Sequence, residues 1–316
     1  MKRFKNILLI CNFDTKQHMA IDRAVSLAGQ NKARLTVITV VKELPVNTWM
    51  AITAMPPQEL FELVIKDRQE KVDALVADMV KQGVDARSLV VTGTPFLEII
   101  RQVLCDKHDL VILAAEGKGG IRKRLFGSTS MHLMRKCPCP VWVVKQAQTW
   151  PCTRTLAAVD PSTSGTESDS LNPLILQLAG SMASKGVGEL HVIHVWHLFG
   201  ERYVRIRGMT EDEIQEARES ERLRHREYLN TLLGQVDVTE LKPHLHLIEG
   251  NPIECIPELV MEQGIDLLVM GTVCRTGIGG FLIGNTAEEV LNQIDCSVLT
   301  VKPEGFVTPV TLEDKK

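Results

Sequence analysis

The sequence predicts an α/β protein of two tandem domains, each a parallel sheet covered by helices on both faces. Three observations carry that reading. Residues 93–145 align with residues 250–302 at a constant offset of 157 without a gap, and 15 of the 53 positions are identical. Unrelated segments of that length share roughly three, so the chain repeats a domain-sized unit, too long for a solenoid repeat. Short apolar, β-branched runs alternate with longer stretches of helical period, the signature of βαβ units. Several runs are apolar at every position, as in parallel sheets buried on both faces.

In order, strands are expected at 6–11, 35–41, 88–91, 110–113 and 141–144 in the first half, and at 155–159, 190–195, 244–248, 267–270 and 298–301 in the second. Leu60, Leu63, Val64, Val72, Leu75, Val76 and Met79 form one stripe along a helix over 57–82, which Gly83 ends. Its counterpart over 211–233 is highly charged at first and ends at Gly234. Trp150-Pro151 breaks the periodicity where the second copy restarts, so the domains are expected at 1–150 and 151–316, the latter with a tail from 303. The front segments 7–12 and 155–160 match at an offset of 148, nine less than 157, so the second copy has gained nine residues before its third strand. Loop growth within the charged 201–227 segment explains the gain most simply; a lid or interaction surface is the alternative.

A chain of 316 residues fits two domains of about 150 each. Its 44% hydrophobic and 24% charged residues are those of a soluble globular protein. A net charge of −3 gives no global attraction for nucleic acid or anionic membrane, and Arg122-Lys123-Arg124 reads as a solvated helix face. No apolar run approaches the ~20 residues of a membrane span. The start, Lys2-Arg3 before Ile7-Leu8-Leu9-Ile10, is interrupted by Asn12 and Asp14 and lacks a small-residue cleavage site. It reads as the first strand of a cytoplasmic protein rather than as a signal peptide. Most of the eight cysteines lie inside apolar patterns and read as small buried hydrophobes, and Cys137-Pro138-Cys139 lacks zinc-ribbon spacing.

After its fourth strand each copy enters a glycine-rich turn leading into a helix, over 114–129 in the first and 271–286 in the second. Glycine lets backbone approach an anion closely, and free N–H groups at a helix start favour negative charge. Ser128, Thr129, Asn285 and Thr286 are placed to cap the helix or to donate to phosphate. These features mark an anion-binding cleft at the strand carboxyl ends of each copy. The alternative is that the glycines serve only to make tight turns.

The second copy reads Gly271-x2-Cys274-x9-Gly284-Asn285 and the first Ala114-x2-Gly117-x9-Gly127-Ser128. Both resemble the ATP-binding motif G-x2-G-x9-G-[ST] of the universal stress protein family. The likeness covers both halves and includes Val159-Asp160-Pro161-Ser162, the Gly-x-Pro turns at Gly93 and Gly250, and the Lys302-Pro303 tail with its Thr-Pro-Val. It is nearest to the tandem universal stress protein E subfamily.

The resemblance implies two Rossmann-like domains of the adenine nucleotide α hydrolase-like type, each with five parallel strands in the order 3-2-1-4-5. It also implies a non-enzymatic stress-response protein that binds ATP or another adenine nucleotide, with Mg only as it accompanies ATP. Asp160 would sit near the adenine or ribose and Val195 against the adenine, while Gly271, Cys274, Gly284, Asn285 and Thr286 would cradle ribose and phosphates. The weaker first-domain counterparts are Asn12, Val40, Gly117, Gly127, Ser128 and Thr129. Both copies depart from the motif, through Cys274 and Asn285 in the second and Ala114 and Asn12 in the first. The second, which keeps Asp160, is expected to be the better site. Single-domain relatives dimerise through their last strands. The uncharged runs 141–144 and 298–301, at sheet edges in this strand order, are therefore expected to pair as an internal pseudo-dimer.

His191, His194 and His197 read as core or rim histidines, because 191 and 194 point to opposite faces of a strand. His244 and His246 share a face, but their spacing supplies no acidic or cysteine partner for a metal. No Gly-x-Ser-x-Gly elbow, Walker A lysine or dinucleotide glycine motif is present, and no nucleophile, base and orienter assemble. One rival is a slow ATPase using Asp160 or Glu288 as base. The other is a degenerate scaffold for a protein partner or apolar ligand, for which Cys274, Ala114 and Asn12 argue.

Overall fold

The computed structural model describes residues 4–13, 17–42, 56–115, 126–145, 153–162, 170–183, 188–198, 200, 209–272 and 284–312. The chain divides into two compact units, Met1–Ala147 with Val307–Lys316, and Gln148–Ile278 with Leu282–Phe306. The tail expected with the second half thus parts from it after Phe306. Within the first unit Arg101 Nε donates to the Thr311 carbonyl at 3.4 Å.

The first unit runs β1 (Asn6–Ile10), α1 (His18–Asn31), β2 (Arg34–Val41), α2 (Pro57–Lys81), β3 (Ala86–Thr92), α3 (Pro95–Asp106), β4 (Leu110–Ala114), α4 (Ser128–Lys136) and β5 (Val141–Val144). Its strands are all parallel, in the order β3-β2-β1-β4-β5. The second unit runs β6 (Arg154–Ala158), α5 (Leu171–Ala183), β7 (Glu189–Trp196), α6 (Glu211–Gly234), β8 (His244–Glu249), α7 (Pro252–Glu262), β9 (Leu267–Gly271), α8 (Asn285–Gln293) and β10 (Ser297–Val301). Its order is β10-β9-β6-β7-β8, again all parallel. In sequence terms both sheets are 3-2-1-4-5, as the family resemblance implies.

The duplication is visible atom by atom. The burial patterns of β2 and β7 are identical, buried throughout but for the first residue and the last but one. The duplicated aspartates explain themselves structurally. Asp109 accepts from the Lys5 and Asn6 N–H groups at 2.6 and 3.1 Å, and Asp266 from those of Thr153 and Arg154 at 2.8 and 3.0 Å, so each pins the start of its first strand. Gly93 and Gly250, in the turns before α3 and α7, have φ of 132° and 157°. A Cβ on Gly250 would fall 2.7 Å from Cys255 Sγ, so glycine is required there on two counts.

Helix α2 follows its expected span, and Gly83, at φ 83°, ends it. Its stripe is shallower than the pattern suggests: Val72 and Met79 are buried, while Leu63 is 51% exposed. Helix α6 begins with a capping box. Thr210 Oγ1 accepts from Glu213 N at 3.3 Å and the Glu213 carboxylate accepts from Thr210 N at 2.7 Å. Those bonds hold the Glu213 carboxyl below its usual range. No helix among the described residues is long and apolar enough to cross a membrane.

Candidate functional site

In each sheet the chain winds outward in both directions from the pair formed by the first and fourth strands. The crevice lies beyond the carboxyl ends of that pair. In the second unit β6 delivers Val159-Asp160 to this point and β9 delivers Gly271-Thr272. In the first unit β1 delivers Cys11-Asn12, and β4 delivers Ala114-Ala115.

Asp160 is half-buried and held on both sides. Its backbone N–H donates to Asn172 Oδ1 at 3.0 Å, and Asn172 Nδ2 returns a bond to its carbonyl at 2.8 Å. Its Oδ1 accepts from Ser162 Oγ and N at 2.5 and 3.3 Å and lies 3.9 Å from His194 Nδ1. From His194 a chain of ring contacts continues inward. Nε2 meets His225 Nδ1 at 2.8 Å, and His225 Nε2 lies 3.4 Å from Glu221 Oε1 on α6. Burial pushes the His225 imidazole below its usual range, against the pull of Glu221. In the first unit Asn12 N donates to Gln17 Oε1 at 2.8 Å, and Thr39, which holds the place of His194, donates to the Cys11 carbonyl at 2.9 Å. Val195 and Val40 occupy the half-exposed positions near the ends of β7 and β2.

The glycine-rich turn of the second unit is closed at its base by a bond from Gly284 N to the Thr272 carbonyl at 3.2 Å. Lys302 Nζ donates to Thr272 Oγ1, with both residues buried, and lies 5.1 Å from the Phe306 ring centroid. Its duplicate Lys145 sits likewise over Phe126 at 4.7 Å. The base of the turn therefore meets a buried cation at Thr272. Of the expected site residues Cys274 and Gly117 lie outside the described residues.

One expectation is corrected here. Ser128, Thr129, Asn285 and Thr286 do not cap the helices. Gly127 and Gly284 occupy the N-cap positions of α4 and α8 in extended conformation, and glycine offers no side chain to the first N–H groups. Those four residues stand in the first turn, at or near the surface. A Cβ on Gly271 would meet Leu171 Cδ2 of α5 at 2.7 Å. The absent side chain makes room for helix packing.

Sequence reasoning passed over Thr272 and Asn172, and took His194 for a core or rim histidine and Lys302 only as part of the family-like tail. Only Lys302 carried a signal, its identity with Lys145 across the duplication. The histidines divide as strand alternation requires: His194 bonds to His225, and His191 packs on His244 and His246. In space His244 does have an acidic neighbour. Glu189, supplied by β7 and invisible to spacing along β8, groups with His191 and His244. Cys137 and Cys139 are buried free thiols with Sγ atoms 3.6 Å apart. The Cys139 thiol is pushed up by its bond to Cys137 and by burial, and that of Cys11 to about 12 by burial, which leaves both inert.

These features define a doubly wound α/β protein with a switch-point cleft framed by a carboxylate after the first strand and an uncapped helix after the fourth. Residues 3–145 and 154–302 each match the profile of the Universal stress protein family, and the chain belongs to that family. It is 28% identical over 326 residues to Universal stress protein E of Escherichia coli K12, covering 100% of this chain and 99% of that protein. It is 26% identical over 316 residues to the Universal stress protein E homolog of Haemophilus influenzae, covering 95% and 98%. Among solved structures it is similar to a functionally unknown protein, PA1789, of Pseudomonas aeruginosa PAO1, at 25% identity and TM-score 0.73 over 96% of this chain and 94% of that one.

Proposed function

We propose that this is a cytoplasmic, non-catalytic stress-response protein that binds ATP or another adenine nucleotide, principally in its second unit. The observation that carries the reading is the closed turn of residues 272–284. Its base is tied by Gly284 and Thr272, the buried Lys302 ammonium donates to Thr272, and α8 starts at Gly284 without a side-chain cap. Peptide N–H groups and a nearby fixed cation together favour phosphate. Val195 would meet the adenine and Asp160 the ribose or base, with Gly284, Asn285 and Thr286 around the phosphates. Mg enters only with ATP.

The first unit offers Asn12, Val40, Gly127, Ser128 and Thr129 in the same places, without the carboxylate. A lost hydrogen bond to ligand costs ~0.5–1.5 kcal/mol, and about 1.4 kcal/mol is tenfold in affinity. Calorimetric titration of ATP into Gly284→Lys and Gly127→Lys proteins should show most binding lost in the former and little in the latter. Equal loss in both, or no binding by the parent, contradicts the reading.

Leu171 over Gly271 and the prior engagement of Asp160 with Ser162 favour a second reading, a scaffold that has given up nucleotide and holds a protein partner or apolar ligand. Absence of ATP binding in the parent, with the fold intact, is its signature. We also propose that the two units associate through 141–144 and 298–301.

A further inference from the structure

On the second sheet, near the amino ends of its strands and away from the cleft, four ionisable side chains meet on one face. Parallel register sets His191 of β7 opposite His244 of β8. Strand alternation brings Glu189 and His246 to the same face. The His191 ring stacks on those of His244 and His246, at centroid distances of 4.8 and 5.3 Å. One ligand atom from each of Glu189, His191 and His244 lies within 4.8 Å of the other two. We propose that these three residues bind a divalent transition cation of the zinc type, with His246 orienting the central ligand.

His191 is the fixed point. The residue is 3% exposed, and its Nε2, 3.6 Å from Glu189 Oε2, is buried without a hydrogen-bond partner among the described residues. Buried polar atoms are almost always satisfied, so an orphan aimed at a carboxylate and a second imidazole marks a place where something is missing. The other ring nitrogen, Nδ1, lies 3.0 Å from His246 Nε2. When Nδ1–H donates there, Nε2 is left with its lone pair toward Glu189 and His244. Metal-binding imidazoles are oriented in this way, by a partner on the nitrogen that does not touch the ion.

Donors on one tetrahedral ion, with bonds of about 2.0–2.1 Å, stand about 3.3 Å apart. The approach from 4.8 Å falls to the exposed Glu189 and His244, while the buried His191 stays in place. Arg154 Nε holds Glu189 Oε2 at 3.1 Å, but both side chains are about half exposed, at 47% and 49%. Such a surface pair is weak and releases the carboxylate to a divalent ion. Two imidazoles, one carboxylate and a water form an open four-coordinate set of the kind that selects zinc, copper, nickel or cobalt over calcium and magnesium.

Full-length protein stripped with a chelator and titrated with Zn(II) against a chromophoric chelator tests this. One ion per chain is expected, weakened at least tenfold in His244→Ala and in Glu189→Gln, both exposed changes whose folding is checked by circular dichroism. His246→Asn, which removes only the orienting partner, should weaken binding by about tenfold. Co(II) in place of zinc reports the donors. Nitrogen and oxygen ligation gives visible d–d bands alone, whereas capture by any of the eight cysteines adds an intense near-ultraviolet sulfur-to-cobalt band. Absence of tight binding, unchanged affinity in His244→Ala, or that sulfur band would overturn the proposal.

Discussion

Asp160 carries three kinds of contact at once, to Ser162, to Asn172 and, at 3.9 Å, to His194, and through His194 it reaches His225 and Glu221. The histidines in this part of the molecule share a property with others in both units. His108, His132, His191, His225 and His246 all lie below the ordinary 6.5, in each case chiefly through burial. A group that the folded state keeps neutral binds more protons when unfolded. The stability it supports is therefore present above about pH 6.5 and lost as pH falls below that value. The thermal midpoint of metal-free protein should accordingly drop from pH 7.5 to 5.5, and His225→Gln should make the slope shallower. A midpoint flat across that range would contradict the burial assigned to these rings.

At the scale of elements, Gly271 and Leu171 make a sharp test of what the glycine is for. Adding a methyl group where Leu171 Cδ2 would stand 2.7 Å away overpacks the seam between β9 and α5. Gly271→Ala should then cost ~1–3 kcal/mol in denaturant unfolding. Adding Leu171→Ala should make the pair less destabilising than the sum of the two singles, a coupling that a glycine kept only for ligand clearance would not show. Strands and helices were legible because each announces itself locally. An apolar run such as 267–270 or the stripe around Val72 needs no partner to be recognised. The cleft was legible only where its residues lie next to a strand end, as Asp160 and Gly284 do. Lys302 and Thr272 are 30 residues apart, and the rings of His191 and His246 meet across 55. Such pairs are made by sheet register, which leaves no spacing in the sequence to read. Leu63 erred the other way, having the right period for a core that does not extend that far along α2.

At the scale of the whole molecule, the duplication has kept its scaffold and let its chemistry drift. The aspartates that pin β1 and β6 and the lysines under both turns persist, while Asp160 answers to Asn12 and His194 to Thr39. The proposed association through 141–144 and 298–301 rests on two uncharged strands, each outermost in its unit's order. Such edges invite pairing. A fragment of residues 1–150 should therefore self-associate in sedimentation experiments at concentrations where the full chain, its edge already paired, does not. A well-behaved monomeric fragment would remove the basis for it.

The bond from Gly284 to Thr272 bears on how such a protein can change over generations. Gly284 N closing on the Thr272 carbonyl means that the scaffold itself holds together the two ends of the 273–283 segment. Doubling the length of a closed loop costs only about 0.6 kcal/mol. Changes of length or sequence within 273–283 therefore bear first on what the cleft can hold and only then on whether the segment's ends meet. The scaffold thus works as a socket: new recognition can be tried by loop exchange alone, one copy at a time, with the other copy left to carry the old role.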